Sequence, residues 1–169
     1  MKRFLTIIYI ILLIILIYFF QVAIVDNNNL FGVKPNLILI SCLIVSIWYG
    51  LYAGAIYSFI IGIITDIIFG NTYGLFTISY VITGTLIGFF NTNYRKENKM
   101  SLVYVTIIAT AIFEIVEYIF YLMNTSTYSS LLYLIKQITI GSILNIVIVY
   151  VLYSLVLKIV NYFEDRIRN

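Results

Sequence analysis

Three carboxylates interrupt otherwise apolar runs of this 169-residue chain: Asp66, Glu114 and Glu117. Groups of this kind act as general acid and base, hold a cation or ligand, or are satisfied by internal hydrogen bonds. The first role lacks its partners. Intramembrane aspartyl proteolysis needs two facing aspartates, one as base and one as acid, and Asp66 is the only aspartate in an apolar run. Histidine is absent and Cys42 is the only cysteine, which removes His-assisted nucleophilic catalysis, Cys/His metal sites and a disulfide framework. The glycines fall at four-residue spacing, unlike a phosphate-cradling GxxxxGK loop. No catalytic residue, metal or cofactor is expected, and the chain reads as a non-enzyme. What remains is a polar pocket of Asp66, Glu114, Glu117 and Lys136, with Lys136 the basic residue best placed to approach the acids. Such a pocket could take a cation or small ligand. Asn145, Thr139 and nearby tyrosines are the alternative, purely internal partners.

The medium that surrounds these groups is set by composition. The chain is 63% hydrophobic and 10% charged, whereas a soluble domain carries roughly 25% charge. This is an all-α integral membrane protein. With about 20 apolar residues needed per span, six transmembrane helices are expected at about 4–25, 35–49, 51–69, 75–90, 101–123 and 138–160, in a single polytopic domain covering 1–169. Residues 128–136 read as a short interfacial helix or loop. The first run is longer than the ~7–15 apolar residues of a signal peptide and no small-x-small cleavage site comes after it, so it is expected to be retained. Pro35 suits a first helical turn. Trp48, Tyr49 and Gly50 suggest an interfacial aromatic pair and a tight turn, which leaves the second span short and thin, or shielded by protein.

The basic residues orient these spans. Lys2, Arg3, Arg95, Lys96, Lys99, Lys158, Arg166 and Arg168 fall on one side, against only Lys34 and Lys136 on the other. The bias puts both termini in the cytoplasm and the three carboxylates in the bundle interior, Asp66 and Glu117 in its outer half. The net charge of +3 then reads as a topology signal and an affinity for anionic lipid. No nucleic-acid partner and no soluble catalytic or sensing domain is expected. The 16 tyrosines and 12 phenylalanines suit helix ends and lipid-facing positions.

Small residues form a second pattern. Gly50, Gly54, Ser58, Gly62, Asp66 and Gly70 recur every fourth position, and Gly84 and Gly88 repeat the spacing. Small residues let helix backbones approach closely in lipid, where no hydrophobic drive presses helices together. The stripe either packs against the chain's own helices or docks the transmembrane helix of a partner.

Lys34, Pro35, Asn36 and Leu37 opening a helix, then Gly50, Gly54, Gly62, Asp66, Gly70, Gly74, Leu75, Gly84 and Gly88, resemble the rod shape-determining protein MreD family over about residues 33–90. Pro35, Asn36, Asp66 and Gly74 stand with the glycines as the family-motif residues; Glu114, Glu117 and Lys136 lie outside the pattern. The resemblance implies a multi-pass protein of the bacterial cytoplasmic membrane with a fold like the substrate-binding subunits of energy-coupling-factor transporters. It also implies a scaffold of the cell-elongation machinery that supports peptidoglycan synthesis at the lateral wall. The implied partner is MreC, and through it MreB, RodA and a class B penicillin-binding transpeptidase. The alternative is a substrate-binding membrane subunit of a vitamin-type transporter. The first run holds a single alanine, Ala23, and so lacks the Ala-xxx-Ala pattern with which those subunits dock their coupling partner.

Overall fold

The computed structural model describes residues 15–22, 32–69, 74–90, 99–124 and 131–168, and among these the side chains of all but 99, 124 and 153–168. Among the described residues the fold is helical and has no strands. Five segments succeed one another: residues 15–22 (α1), Leu37–Phe69 (α2), Leu75–Phe89 (α3), Lys99–Asn124 (α4) and Leu131–Arg168 (α5). Three stretches, Leu37–Phe69, Met100–Met123 and Leu131–Leu152, are long and apolar enough to cross a membrane, and Leu75–Phe89 is a shorter apolar helix. The second and third expected spans fall within the single helical run Leu37–Phe69.

That run does not go straight. At Gly50 the backbone takes φ 80° and ψ −167°, a region open to glycine and costly for any side chain. The Tyr57 hydroxyl donates to Ser41 Oγ at 3.2 Å although 16 residues separate them, a distance of about 24 Å in a straight helix. Hence α2 folds back at Gly50 into two antiparallel arms, 37–49 and 51–69. The first arm is central. Residues 38–43 are buried without interruption, as a helix enclosed on all sides must be. Its Ile40, Leu43 and Ile47 pack with Ile87 of α3, Leu102 and Ala109 of α4 and Val149 of α5.

The second arm packs antiparallel on α3. A Cβ added to Gly62 would lie 2.5 Å from Thr77 Cα, and one on Gly88 2.7 Å from Leu51 Cα. Gly54 and Gly84 approach each other's carbonyl oxygens, and Ser58 fills the space over Gly84. The opposite side of the arm carries Tyr52 and Ile67, 81% and 79% exposed, the arrangement expected of a lipid-facing surface. α1 is held to the same arm, for Tyr18 donates its hydroxyl to the Ile61 carbonyl at 2.8 Å and bonds Thr65 Oγ1.

Two boundaries differ from the sequence reading. Helix α2 begins at Leu37, with Asn36 Oδ1 accepting from Leu39 N at 2.8 Å. Asn36 is thus the N-cap and Pro35 precedes the helix, since an Asn side chain that reaches the third amide fixes the start. Residues 131–136, expected as a separate segment, are the first turns of α5. No proline separates them from the rest of that helix, and Gly141 meets Thr110 and Val33 at ordinary van der Waals distance without breaking it. Gly70, Lys2, Arg3, Arg95 and Lys96 lie outside the described residues, as do the side chains of Lys99, Lys158, Arg166 and Arg168.

Candidate functional site: a polar interior around the start of α2

The N-terminus of α2 lies deep inside the bundle. Asn36 N donates to Asn145 Oδ1 at 2.9 Å, and Asn145 Nδ2 donates to Thr110 Oγ1 at 3.1 Å. Asn145 stands 14 residues past Leu131 (145 − 131) and Thr110 stands 14 before Asn124 (124 − 110). Both therefore sit about 21 Å along their helices from the α4–α5 connection. The arm 37–49 supplies only about 20 Å of helix, and a non-helical stretch, Gly32 to Asn36, covers the rest. It runs down α5. A Cβ on Gly32 would lie 3.5 Å from Lys136 Nζ, Val33 Cγ1 lies 3.7 Å from the corresponding position at Gly141, and Asn36 meets Asn145. Four extended residues reach about 13 Å, as do the nine helical residues from Lys136 to Asn145.

Irregular backbone at this depth has no water to bond and must be satisfied by protein. Gln21 of α1 does part of this: its Oε1 accepts from Leu37 N at 2.9 Å and its Nε2 donates to the Pro35 carbonyl at 3.3 Å. Tyr80 of α3, 1% exposed, donates its hydroxyl to Asn36 Oδ1 at 3.2 Å, with its ring 4.9 Å from that of Phe113. One short stretch thus receives side chains from α1, α3 and α5, and α4 braces the last of these through Thr110. Gln21 and Asn145 were readable as the single amides in their apolar runs, yet only the fold reveals that both serve backbone. Thr110 and Tyr80 carried no signal.

Asp66 has a separate task. Helix α3 starts after Gly74, whose φ of 86° suits glycine and which has no side chain to cap with. The cap comes from the neighbouring arm: Asp66 Oδ1 accepts from Phe76 N and Oδ2 from Thr77 N, each at 3.0 Å, and Oδ2 also accepts from the Thr77 hydroxyl. Two backbone amides and the positive end of a helix stabilise a carboxylate that lipid would reject. Gly62 permits this by bringing the arms to backbone contact one turn away. Asp66→Ala is expected to destabilise the protein by about 1–2 kcal/mol, the usual value of an N-cap. Asp66→Asn, which keeps one acceptor, should cost less. Thermal unfolding of the purified variants in lipid nanodiscs measures the order, and equal midpoints for Asp66→Ala and the parent would refute the capping role.

The four residues expected to share a pocket have different neighbours. Asp66 is occupied at α3, because its two oxygens already have three donors. Lys136 is exposed and reaches toward Gly32, with no ion pair to Glu114 or Glu117. Asn145 serves Asn36, and Thr139 bonds the carbonyls of its own helix, Ile135 and Lys136. Glu114 and Glu117 remain together, one turn apart on α4. The small-residue stripe is likewise turned inward: Gly54, Ser58, Gly62, Gly84 and Gly88 are all buried between the second arm and α3. Among the described residues no group of three or more His, Cys, Asp or Glu side chains could hold a metal ion.

Comparison with known proteins gives a family match. A family model described as rod shape-determining protein MreD matches residues 1–163. No curated protein and no solved structure matches the chain significantly.

Proposed function

Since the chain belongs to the rod shape-determining protein MreD family, and so to the proteins of rod-shape determination, we propose that it is a non-enzymatic membrane scaffold of the bacterial elongation machinery. In this reading it binds MreC and, through it, acts with MreB, RodA and a class B penicillin-binding transpeptidase in building the lateral wall. The family match over residues 1–163 carries the proposal. The proposed topology counts the two arms of α2 as separate spans. It gives six in the cytoplasmic membrane, both termini cytoplasmic, in an arrangement like that of energy-coupling-factor substrate-binding subunits. Gly50 and the α3–α4 side then face the cytoplasm, and Lys34, Gly74 and Lys136 the outside, in keeping with the uneven distribution of basic residues.

Because the glycine faces of the second arm and α3 are used internally, a partner helix would bind elsewhere. The exposed sides of α4 and α5 supply such surfaces, with Tyr104, Ile108, Ile143 and Val147 at 52–66% exposure. Depletion in the native bacterium is expected to round or widen the cells, and the tagged protein is expected to co-purify with MreC. Normal rods after depletion, together with no MreC in the purified material, would remove the proposal.

A further inference from the structure

We propose that Lys34 and Lys136 together hold the phosphate of an anionic phospholipid whose acyl chain lies along the exposed side of α5. Both lysines are exposed, and the non-helical stretch that descends beside α5 brings them to one place. A Cβ on Gly32 would lie 3.5 Å from Lys136 Nζ. Burial then alternates along the stretch: Gly32 and Lys34 are exposed, Val33 and Pro35 buried, as in extended chain, where successive side chains point to opposite sides. Lys34 therefore emerges on the same side as Gly32, and two residues span at most about 7 Å. The flexible stems of the two lysines cover that gap, so that both ammonium groups reach a single phosphate.

The surroundings select the charge and the shape of the ligand. Neither residues 32–36 nor Leu131–Leu152 include an Asp or Glu, so the two elements that form the place contribute only positive charge. An anion complements it, and each lysine beside an anionic lipid headgroup is worth about fivefold in affinity. The apolar part of the ligand follows from α5. On a helix Ile143 and Val147 lie within about 20° of Lys136 around the axis, and they are 62% and 60% exposed. Val147 stands 11 residues past Lys136 (147 − 136), about 16 Å along the helix, close to half of the ~30 Å hydrocarbon core of a bilayer. A cationic head above an apolar stripe one leaflet long fits a whole phospholipid, whereas a free anion would use only the head. The lipid takes the α5 side and leaves the α4 side, with Tyr104 and Ile108 exposed, to a partner helix.

The test uses the full chain carrying a photoreactive benzophenone side chain, Ile143→benzoylphenylalanine, in nanodiscs of phosphatidylcholine with about a tenth of phosphatidylglycerol of the same acyl chains. After illumination the lipid adducts are weighed by mass spectrometry. Phosphatidylglycerol is expected to exceed its bulk ratio by about 25-fold in the parent, by about fivefold in Lys34→Gln and in Lys136→Gln, and not at all in the double variant. Both lysines are exposed, so thermal midpoints in pure phosphatidylcholine should agree within about a degree and show that the variants fold. Equal enrichment in the parent and the double variant overturns the proposal, as does no enrichment in the parent. Excess inorganic phosphate at constant ionic strength separates the two sources of the anion: enrichment that persists supports the lipid, and enrichment that disappears assigns the site to free phosphate and overturns it. Illumination in membranes of the native bacterium separates the remaining occupants. Adducts with anionic lipid support the proposal, and adducts with another protein or a second copy of the chain in their place overturn it. Should the probe at Ile143 prevent folding, the same probe at Val147 decides by the same outcomes.

Discussion

Alanine at Gly62 or Gly88 is expected to lower stability by about 3 kcal/mol or more, at the upper end of what overpacking costs, and alanine at Gly84 by about half as much. The difference lies in what each new methyl group meets. At Gly62 the nearest atoms are Thr77 Cα at 2.5 Å and Thr77 N at 3.2 Å, and at Gly88 they are Leu51 Cα and N and the Gly50 carbonyl carbon, all within 3.0 Å. These are backbone atoms. Relief at either site requires the second arm of α2 and α3 to move apart, which sacrifices van der Waals contact along the whole interface and carries Asp66 away from the α3 amides. At Gly84 the nearest atom is the Ser58 hydroxyl, which can rotate, leaving Ser58 Cβ at 2.9 Å and the Gly54 carbonyl oxygen at 3.1 Å, a smaller displacement than the other two glycines require. Thermal midpoints in nanodiscs should therefore fall by about 6–12 °C for Gly62→Ala and Gly88→Ala. Midpoints within a degree of the parent for both would show that this packing contributes little to stability.

The same residues show how far sequence reasoning reaches. An all-helical membrane protein could be read from 10% charge, because no other architecture except a closed barrel satisfies the backbone in lipid. A stripe of small residues on one face and a second pair at the same spacing announced close helix packing, since spacing along a helix fixes which residues share a face. That Asp66 must face protein could be argued from the cost of a carboxylate in lipid. Its actual donors could not, because the capped helix is a different one, brought near by the fold. The α3 amides that take up Asp66 were hidden from the pocket reading for the same reason: depth along a helix is legible in sequence but the neighbouring element is not, and only Glu114 and Glu117 are tied together by lying one turn apart on one helix. Least legible was the start of the second expected span. Its shortness was visible, but a non-helical stretch descending beside α5 depends on Gln21 and Asn145, which are 16 and 109 residues from the amides they serve.

Asn145→Leu tests that arrangement most severely, and its expected cost is about 2–4 kcal/mol. The substitution leaves the Asn36 amide without its acceptor in a place water does not reach, and an orphaned buried donor costs about 1–3 kcal/mol beyond the lost bond itself. The consequences are local before they are global. Once Asn36 is released from α5, the bonds to Gln21 and Tyr80 remain, but the first arm loses its register against α4 and α5. Amide exchange at Asn36, Leu37 and Leu39 should therefore accelerate by about 30-fold or more, since each 1.4 kcal/mol is tenfold in an opening equilibrium. The second arm and α3, which rely on glycine packing and on Asp66, should change little. Thr110→Val is the control. It removes the acceptor of Asn145 Nδ2 but leaves Asn36 N bonded to Oδ1, so it should cost about 1 kcal/mol, and in the double variant its effect should shrink because the amide it served is already gone. If Asn145→Leu and Thr110→Val cost the same and exchange at Asn36 is unchanged, the start of α2 is held in place by apolar packing, and the bond to Asn145 merely accompanies it.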